Sequence, residues 1–185
     1  MTIYVATANA HKIEEIKGIL TAEILIHPQY NTLEIVESGD TFEENALIKA
    51  IALSKLTDEY VIADDSGLSV DALDAMPGVH SSRYSGGGDS ANNALLLHNM
   101  QNITDRTAKF VCVIALAKKG EVIATFRGEC HGDIANSPTG SNGFGYDPLF
   151  IPKGYDISMA QLMPAEKNAI SHRRHALEKL ADYLK

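Results

Sequence analysis

At 185 residues with a formal net charge of -8, the chain is long enough for one sizeable core or two lobes sharing a sheet. It is too acidic for a nucleic-acid polymer to be an expected partner, because duplex binders carry a basic face. Its hydrophobic fraction of 45% is ordinary, no stretch approaches the roughly 18 uninterrupted apolar residues of a membrane span, and two cysteines make neither a disulfide framework nor a zinc knuckle.

Ile3-Tyr4-Val5-Ala6 reads as a strand with no basic region or signal-peptide core before it, so the expected compartment is the cytoplasm. Thr7-Ala8-Asn9-Ala10-His11-Lys12 follows, then a helix with Ile13, Ile16, Ile19 and Leu20 on its apolar stripe and Glu14, Glu15 and Lys17 outside. A strand, a polar loop and a helix N-terminus in succession form an anion site from backbone N–H groups and the helix dipole, to which Lys12 adds a charge. The same residues also fit an Asn9 N-cap and a solvated lysine. No Gly-x-x-x-x-Gly-Lys-Ser/Thr occurs, which excludes a P-loop. Residues 23–27 supply a second strand. Ser38-Gly39-Asp40 then opens a helix over residues 41–55, where Thr41-x-x-Glu44 is a capping box and Glu44 is equally a candidate metal ligand.

Val61-Ile62-Ala63 is a short buried strand running into Asp64-Asp65, and Ser66-Gly67 reads as the turn that ends it. Adjacent carboxylates at a buried strand end repel unless a cation lies between them or one is protonated. Mg2+ suits such a site, since it takes a few carboxylate oxygens and keeps waters and phosphates as its other ligands. The competing reading is a capped turn with Asp65 solvated.

Residues 76–88 form a long Gly/Ser/Pro loop, of the kind that is functional or mobile inside compact domains. A helix over residues 90–100 follows. Residues 110–117, with Cys112 as a buried thiol, and residues 122–126 pair as a hairpin across Lys118-Lys119-Gly120-Glu121. In Gly143-Phe144-Gly145-Tyr146-Asp147-Pro148, glycines flank two rings, which suits close approach to a flat ligand, or simply rings tucked into the core. Residues 149–151 are a short strand, and Pro164-Ala165-Glu166 begins a terminal helical region. Lys167, His172, Arg173, Arg174 and His175 make it the most basic stretch, without acidic partners between Glu166 and Glu178. A solvated face is the usual meaning of such a run. Lys167 and Arg173 would point to different sides of one helix, so a break is expected within residues 169–171.

Thr7-x-Asn9-x-x-Lys12, Thr41-x-x-Glu44-Asn45-Ala46-x-x-Lys49-Ala50, Asp64-Asp65-Ser66-Gly67-Leu68, Pro77-Gly78-x-x-Ser81-x-Arg83-Tyr84, Gly143-Phe144-Gly145-Tyr146-Asp147-Pro148-x-Phe150 and Glu166-Lys167-Asn168-x-Ile170-Ser171-His172-Arg173 together resemble the non-canonical purine nucleoside triphosphate pyrophosphatases, the inosine triphosphate pyrophosphatase family. The resemblance spans essentially the whole chain, in order. It implies an α/β fold over residues 1–185: an elongated mixed sheet flanked by helices, in two lobes with the nucleotide in the cleft between them, usually as a homodimer. It implies Mg2+-dependent hydrolysis of ITP, dITP and XTP to the monophosphate and pyrophosphate. By position it makes Asp65 the general base and a metal ligand with Glu44 and Asp64. It assigns residues 7–12 and Ser66 to the phosphates, and Phe144, Gly145, Tyr146, Asp147, Lys167, His172 and Arg173 to the nucleotide, chiefly base and sugar. Phe144 or Tyr146 would stack on the base. His172 and Arg173 would donate to a purine 6-oxo group, where adenine presents an amine.

Two alternatives stand beside this reading. One is a sister house-cleaning pyrophosphatase acting on modified pyrimidine nucleotides. The other takes residues 61–67 as the strand-Asp-Ser-Gly of an aspartic-protease-like peptidase, which leaves Lys12 and the C-terminal basic cluster without a role.

Overall fold

Strand β1 (Thr2–Val5) buries Ile3 and Val5 completely and starts a β-α-β unit. Asn9 caps helix α1 (Ala10–Ile19) by accepting the Lys12 N–H, and the chain returns as β2 (Glu23–Ile26), parallel to β1. Helix α2 (Phe42–Ser54) then leads to β3 (Tyr60–Val70), which lies parallel on the other flank of β1, with Val5 opposite Ile62. The computed structural model describes residues 1–185. Its later elements are α3 (Asp89–Asn99), β4 (Thr107–Lys118), β5 (Glu121–Ile134), β6 (Phe150–Pro152), α4 (Pro164–Ile170) and α5 (His172–Tyr183).

The strands make one mixed sheet in the order β2-β1-β3-β4-β5-β6, parallel where β1 pairs with β2 and β3, antiparallel where β5 pairs with β6. β4 and β5 form the expected hairpin, longer at both ends than their apolar runs suggested. Lys119 and Gly120 both have positive φ (54° and 82°), as a two-residue type I′ turn requires. The chain also breaks where expected: Ser171 is extended (φ -71°, ψ 153°) between α4 and α5, which puts Lys167 and Arg173 on separate helices.

Two expectations fail. Ser66-Gly67 is not a turn, because β3 runs through both residues to Val70, well past its pairing with β1 and with β4 as its other neighbour in the sheet. Backbone pairing thus overrides the local turn preference of Ser and Gly, and the two aspartates lie within a strand. Glu15, expected outside, is buried on α1.

The chain divides into two compact units. Met1–Asp65, Cys112–Gly128 and Arg173–Lys185 form the first; Ser66–Val111 and Glu129–His172 form the second. The first has a core of Ile3, Val5, Ile16, Ile24, Ile62, Ile114, Leu116, Leu177 and Leu180. In the second, Leu68, Val70, Leu96, Met100, Phe110, Leu149, Phe150 and Leu162 pack together. No helix is long and apolar enough to cross a membrane.

Candidate active site

In the first unit β1 lies between β2 and β3, so the connection leaving β1 runs to β2 on one side and the connection leaving β2 runs back past β1 to β3 on the other. Such a switch point opens a crevice outside the strand ends where ligands bind. The chain leaving β1 stays beside β3 through the Ala6 N–H, which donates to the Ile62 carbonyl at 2.8 Å. Thr7 Oγ1 then accepts the Asn9 N–H (3.2 Å) and Asn9 Oδ1 accepts the Lys12 N–H (3.3 Å). Thr7 is buried while residues 8–11 are exposed, leaving the start of α1 open to an anion.

Asp64 and Asp65 project to opposite faces of β3, and each has its own cations. Asp64, 2% exposed, receives Lys12 Nζ on Oδ1 at 3.2 Å and on Oδ2 at 3.1 Å. Arg173 donates to the same Oδ2 from Nε (3.3 Å) and Nη2 (3.0 Å), and its Nη1 donates to Glu15 Oε2. The Cys112 thiol on β4 lies 3.9 Å from that Oδ2. Asp65 Oδ1 accepts Lys49 Nζ at 3.3 Å, and Lys49 also meets Glu37 Oε2 at 3.3 Å.

Charge environment separates the two carboxylates. Burial raises the Asp64 pKa, but Lys12 and Arg173 outweigh it and hold the group well below the usual carboxylate range. For Asp65 burial wins over Lys49 and Lys12, and its pKa lies above the ordinary value. Lys49 is itself raised, because Asp64, Asp65 and Glu37 together outweigh its burial. Tyr30 lies in the same field: burial raises its pKa against the attraction of Lys49.

The second unit holds an aromatic and basic cluster. Asp147 Oδ2 accepts the Phe144 N–H at 3.1 Å and Lys167 Nζ at 2.7 Å. Gly143 has φ +72°, and a Cβ there would lie 2.1 Å from Asp147 Oδ2, so only glycine lets this carboxylate reach its partners. Lys167 Nζ sits 4.6 Å from the Phe144 ring centroid. Gly145 donates its N–H to Asp89 Oδ2 at 2.8 Å and accepts Asn93 Nδ2 at 3.1 Å. The His172 ring stacks on Phe110 at 4.9 Å and 18°. Of the two rings considered for stacking, Phe144 is half-buried while Tyr146 lies in the core and donates its hydroxyl to the Ser81 carbonyl at 2.6 Å.

Lys12, Asp64 and Arg173 thus meet within the first unit, where Asp65 meets Lys49 instead, and Phe144, Asp147 and Lys167 meet within the second; Ser66 lies on β3 immediately after Asp65. Glu44 engages Asp40, whose N–H donates to Oε2 at 2.7 Å, while its own N–H goes to Thr41 Oγ1 at 3.1 Å. Sequence reasoning missed Glu15, Glu37 and Tyr30. For Glu15 a signal existed, since residues i and i+3 share a helix side and Glu15 follows Lys12 by three. Glu37 sits in an irregular segment and carried none.

No group of three His, Cys, Asp or Glu side chains forms a ready cage for a metal. The chemistry fits Mg2+ all the same, because that ion uses one or two carboxylates and completes its shell with water and phosphate. Asp65 Oδ2 is buried with no hydrogen-bond partner, an oxygen placed as a ligand requires. Asp64 has both oxygens engaged by cations.

Residues 3–183 match the model of the Ham1 family. A dITP/XTP pyrophosphatase of Oceanobacillus iheyensis is 45% identical over 191 residues, covering 98% of this chain and 97% of that protein. The structure of the Staphylococcus aureus Ham1 protein superposes with a TM-score of 0.91 at 41% identity, covering 100% of this chain and 98% of that one. A nucleoside-triphosphatase/dITP/XTP pyrophosphatase from Mycobacterium abscessus superposes with a TM-score of 0.78 at 45% identity, covering 97% and 98%.

Proposed function

The chain belongs to the Ham1 family, and from that premise we propose that it hydrolyses ITP, dITP and XTP to the monophosphate and pyrophosphate, clearing non-standard purines from the nucleotide pool. Asp65 is the general base. Its raised pKa makes it the stronger base of the two aspartates. It takes a proton from a water whose oxygen bonds to the α-phosphorus; the α–β anhydride bond breaks, and pyrophosphate leaves with the electron pair. Lys12, the exposed N–H groups opening α1, and Ser66 take the phosphates. Bound Mg2+ supplies charge neutralisation and orientation of the triphosphate. Asp65 and Glu44 would hold it, joined by Glu37, which shares Lys49 with Asp65. Asp64, the third expected ligand, holds Lys12 and Arg173.

For the base, Phe144 supplies the stacking face, with Gly145 and the Tyr146 backbone beside it. Asp147, Lys167 and His172 supply polar groups for the purine edge. The functional enzyme is a cytoplasmic homodimer in this reading, and its two cysteines are free thiols, in keeping with a reducing compartment.

The observation that supports the mechanism most is the orphaned Asp65 Oδ2 beside Lys49. A panel of ITP, dITP, XTP, dUTP, dTTP and ATP with Mg2+, read by released pyrophosphate, tests it. The expected result is preference for the 6-oxo purines and loss of turnover in EDTA. Preference for dUTP or dTTP would make it a pyrimidine house-cleaning enzyme instead, and full turnover in EDTA would remove the metal from the mechanism.

A further inference from the structure

We propose that Glu15 is a positioning residue that acts through Arg173 and Asp64 to fix the Lys12 ammonium for a triphosphate. The proposal rests on the reading above that Lys12 meets phosphate. Lys12 has a flexible four-carbon stem, and its ammonium is oriented only by what it touches. It touches both oxygens of Asp64. Asp64 in turn is oriented by the Arg173 fork, two of whose nitrogens converge on Oδ2. The third nitrogen, Nη1, reaches Glu15. Glu15 and Lys12 stand three residues apart on α1, so the contacts close a ring: Lys12, Asp64, Arg173, Glu15 and back through the helix.

Along these contacts the charges alternate in sign, and Arg173, Asp64 and Glu15 are all buried. Without Glu15 the guanidinium loses one of the two carboxylates it grips. Arginine favours a two-oxygen grip on a carboxylate, and such a grip would take Asp64 Oδ1 from Lys12. Glu15 prevents this by anchoring Nη1 to the helix that carries Lys12.

Binding of inorganic tripolyphosphate with Mg2+, measured by calorimetry, tests the idea separately from turnover. Glu15→Gln keeps an acceptor for Nη1 but not its charge and should weaken binding about threefold or more. Glu15→Ala should weaken it about tenfold or more, within the range of coupling between contacting groups. Both losses should shrink to within about twofold in a Lys12→Ala background, the mark of action through Lys12. A merely structural Glu15 would lower Tm, leave affinity unchanged and add its effects to those of Lys12→Ala. Either unchanged affinity or additivity overturns the proposal, and if Glu15→Ala fails to fold, the Glu15→Gln series decides alone. Wild type that binds tripolyphosphate without hydrolysing ITP would sink the proposed function and leave the positioning role standing; wild type that binds neither overturns both.

Discussion

Replacing Arg173 by alanine separates a clamp inside the protein from a donor to the purine base. Arg173 is 1% exposed, and its guanidinium joins two buried carboxylates, Asp64 and Glu15. Removing one member of a buried charge network leaves its partners uncompensated, which costs about 3–5 kcal/mol. A chain of this size loses about 2–4 °C of Tm per kcal/mol. Arg173→Ala should therefore melt about 6–20 °C lower, by calorimetry or circular dichroism. Its kcat/KM should fall for ITP, XTP and ATP alike, since a displaced Lys12 affects every triphosphate. Arg173→Lys, which restores the charge without the fork, should recover part of the Tm. A base-reading Arg173 predicts the opposite pattern: normal melting, with ITP and XTP penalised and ATP spared. A Tm within about 2 °C of wild type, with the ITP-to-ATP ratio narrowed, would refute the clamp.

Asp65→Asn should lower kcat at least about 10²-fold, the smaller end of general-base loss, while its amide oxygen can still accept Lys49 Nζ in place of Oδ1. Glu44→Gln keeps an oxygen for the Asp40 N–H, so Tm should hold while the Mg2+ concentration for half-maximal rate rises; an unchanged Mg2+ titration would make Glu44 a cap only. Tyr146→Phe removes the hydroxyl bonded to the Ser81 carbonyl, which keeps Asn92 Nδ2 as a donor at 3.3 Å, and should cost about 0.5–1.5 kcal/mol, the worth of one hydrogen bond, with KM unchanged, whereas Phe144→Ala should raise KM for ITP; the reverse assignment would move the stacking face to Tyr146. Burial pushes Cys112 up to about 12 and Cys130 up to about 11, above the roughly 8.5 of an exposed thiol. Folding holds both protonated, so their contribution to stability is full below the unfolded value and is lost as pH rises toward 11–12. Iodoacetamide at pH 9 should label only the urea-unfolded chain, and rapid labelling of native protein would contradict this.

What the sequence disclosed followed from local chemistry. The α1 cap, the β4–β5 hairpin and the break at Ser171 each depend on a few neighbouring residues, and all three were legible. The Asp64-Asp65 pair stood out because adjacent carboxylates in an apolar run need a reason. Ser66-Gly67 misled because strand continuation there is decided by β4, about 40 residues away in sequence. Glu15 and Arg173 misled for a related reason. Each carries a charge that looks solvated by itself, and only their meeting at Asp64 permits burial. Glu37 was invisible because an irregular segment has no periodicity to betray a side chain aimed at Lys49.

Arg173 reaches back 109 residues to Asp64 and 158 to Glu15, and this separation bears on how the protein is made. During synthesis the carboxylates are translated long before the arginine that compensates them. A nascent chain stopped short of α5 therefore holds two acidic groups with no guanidinium, in a place that folding must dehydrate. Such a chain can form its sheet strands but not a dry, ordered catalytic end. The network that fixes Lys12 is therefore completed only when the last helix has been made.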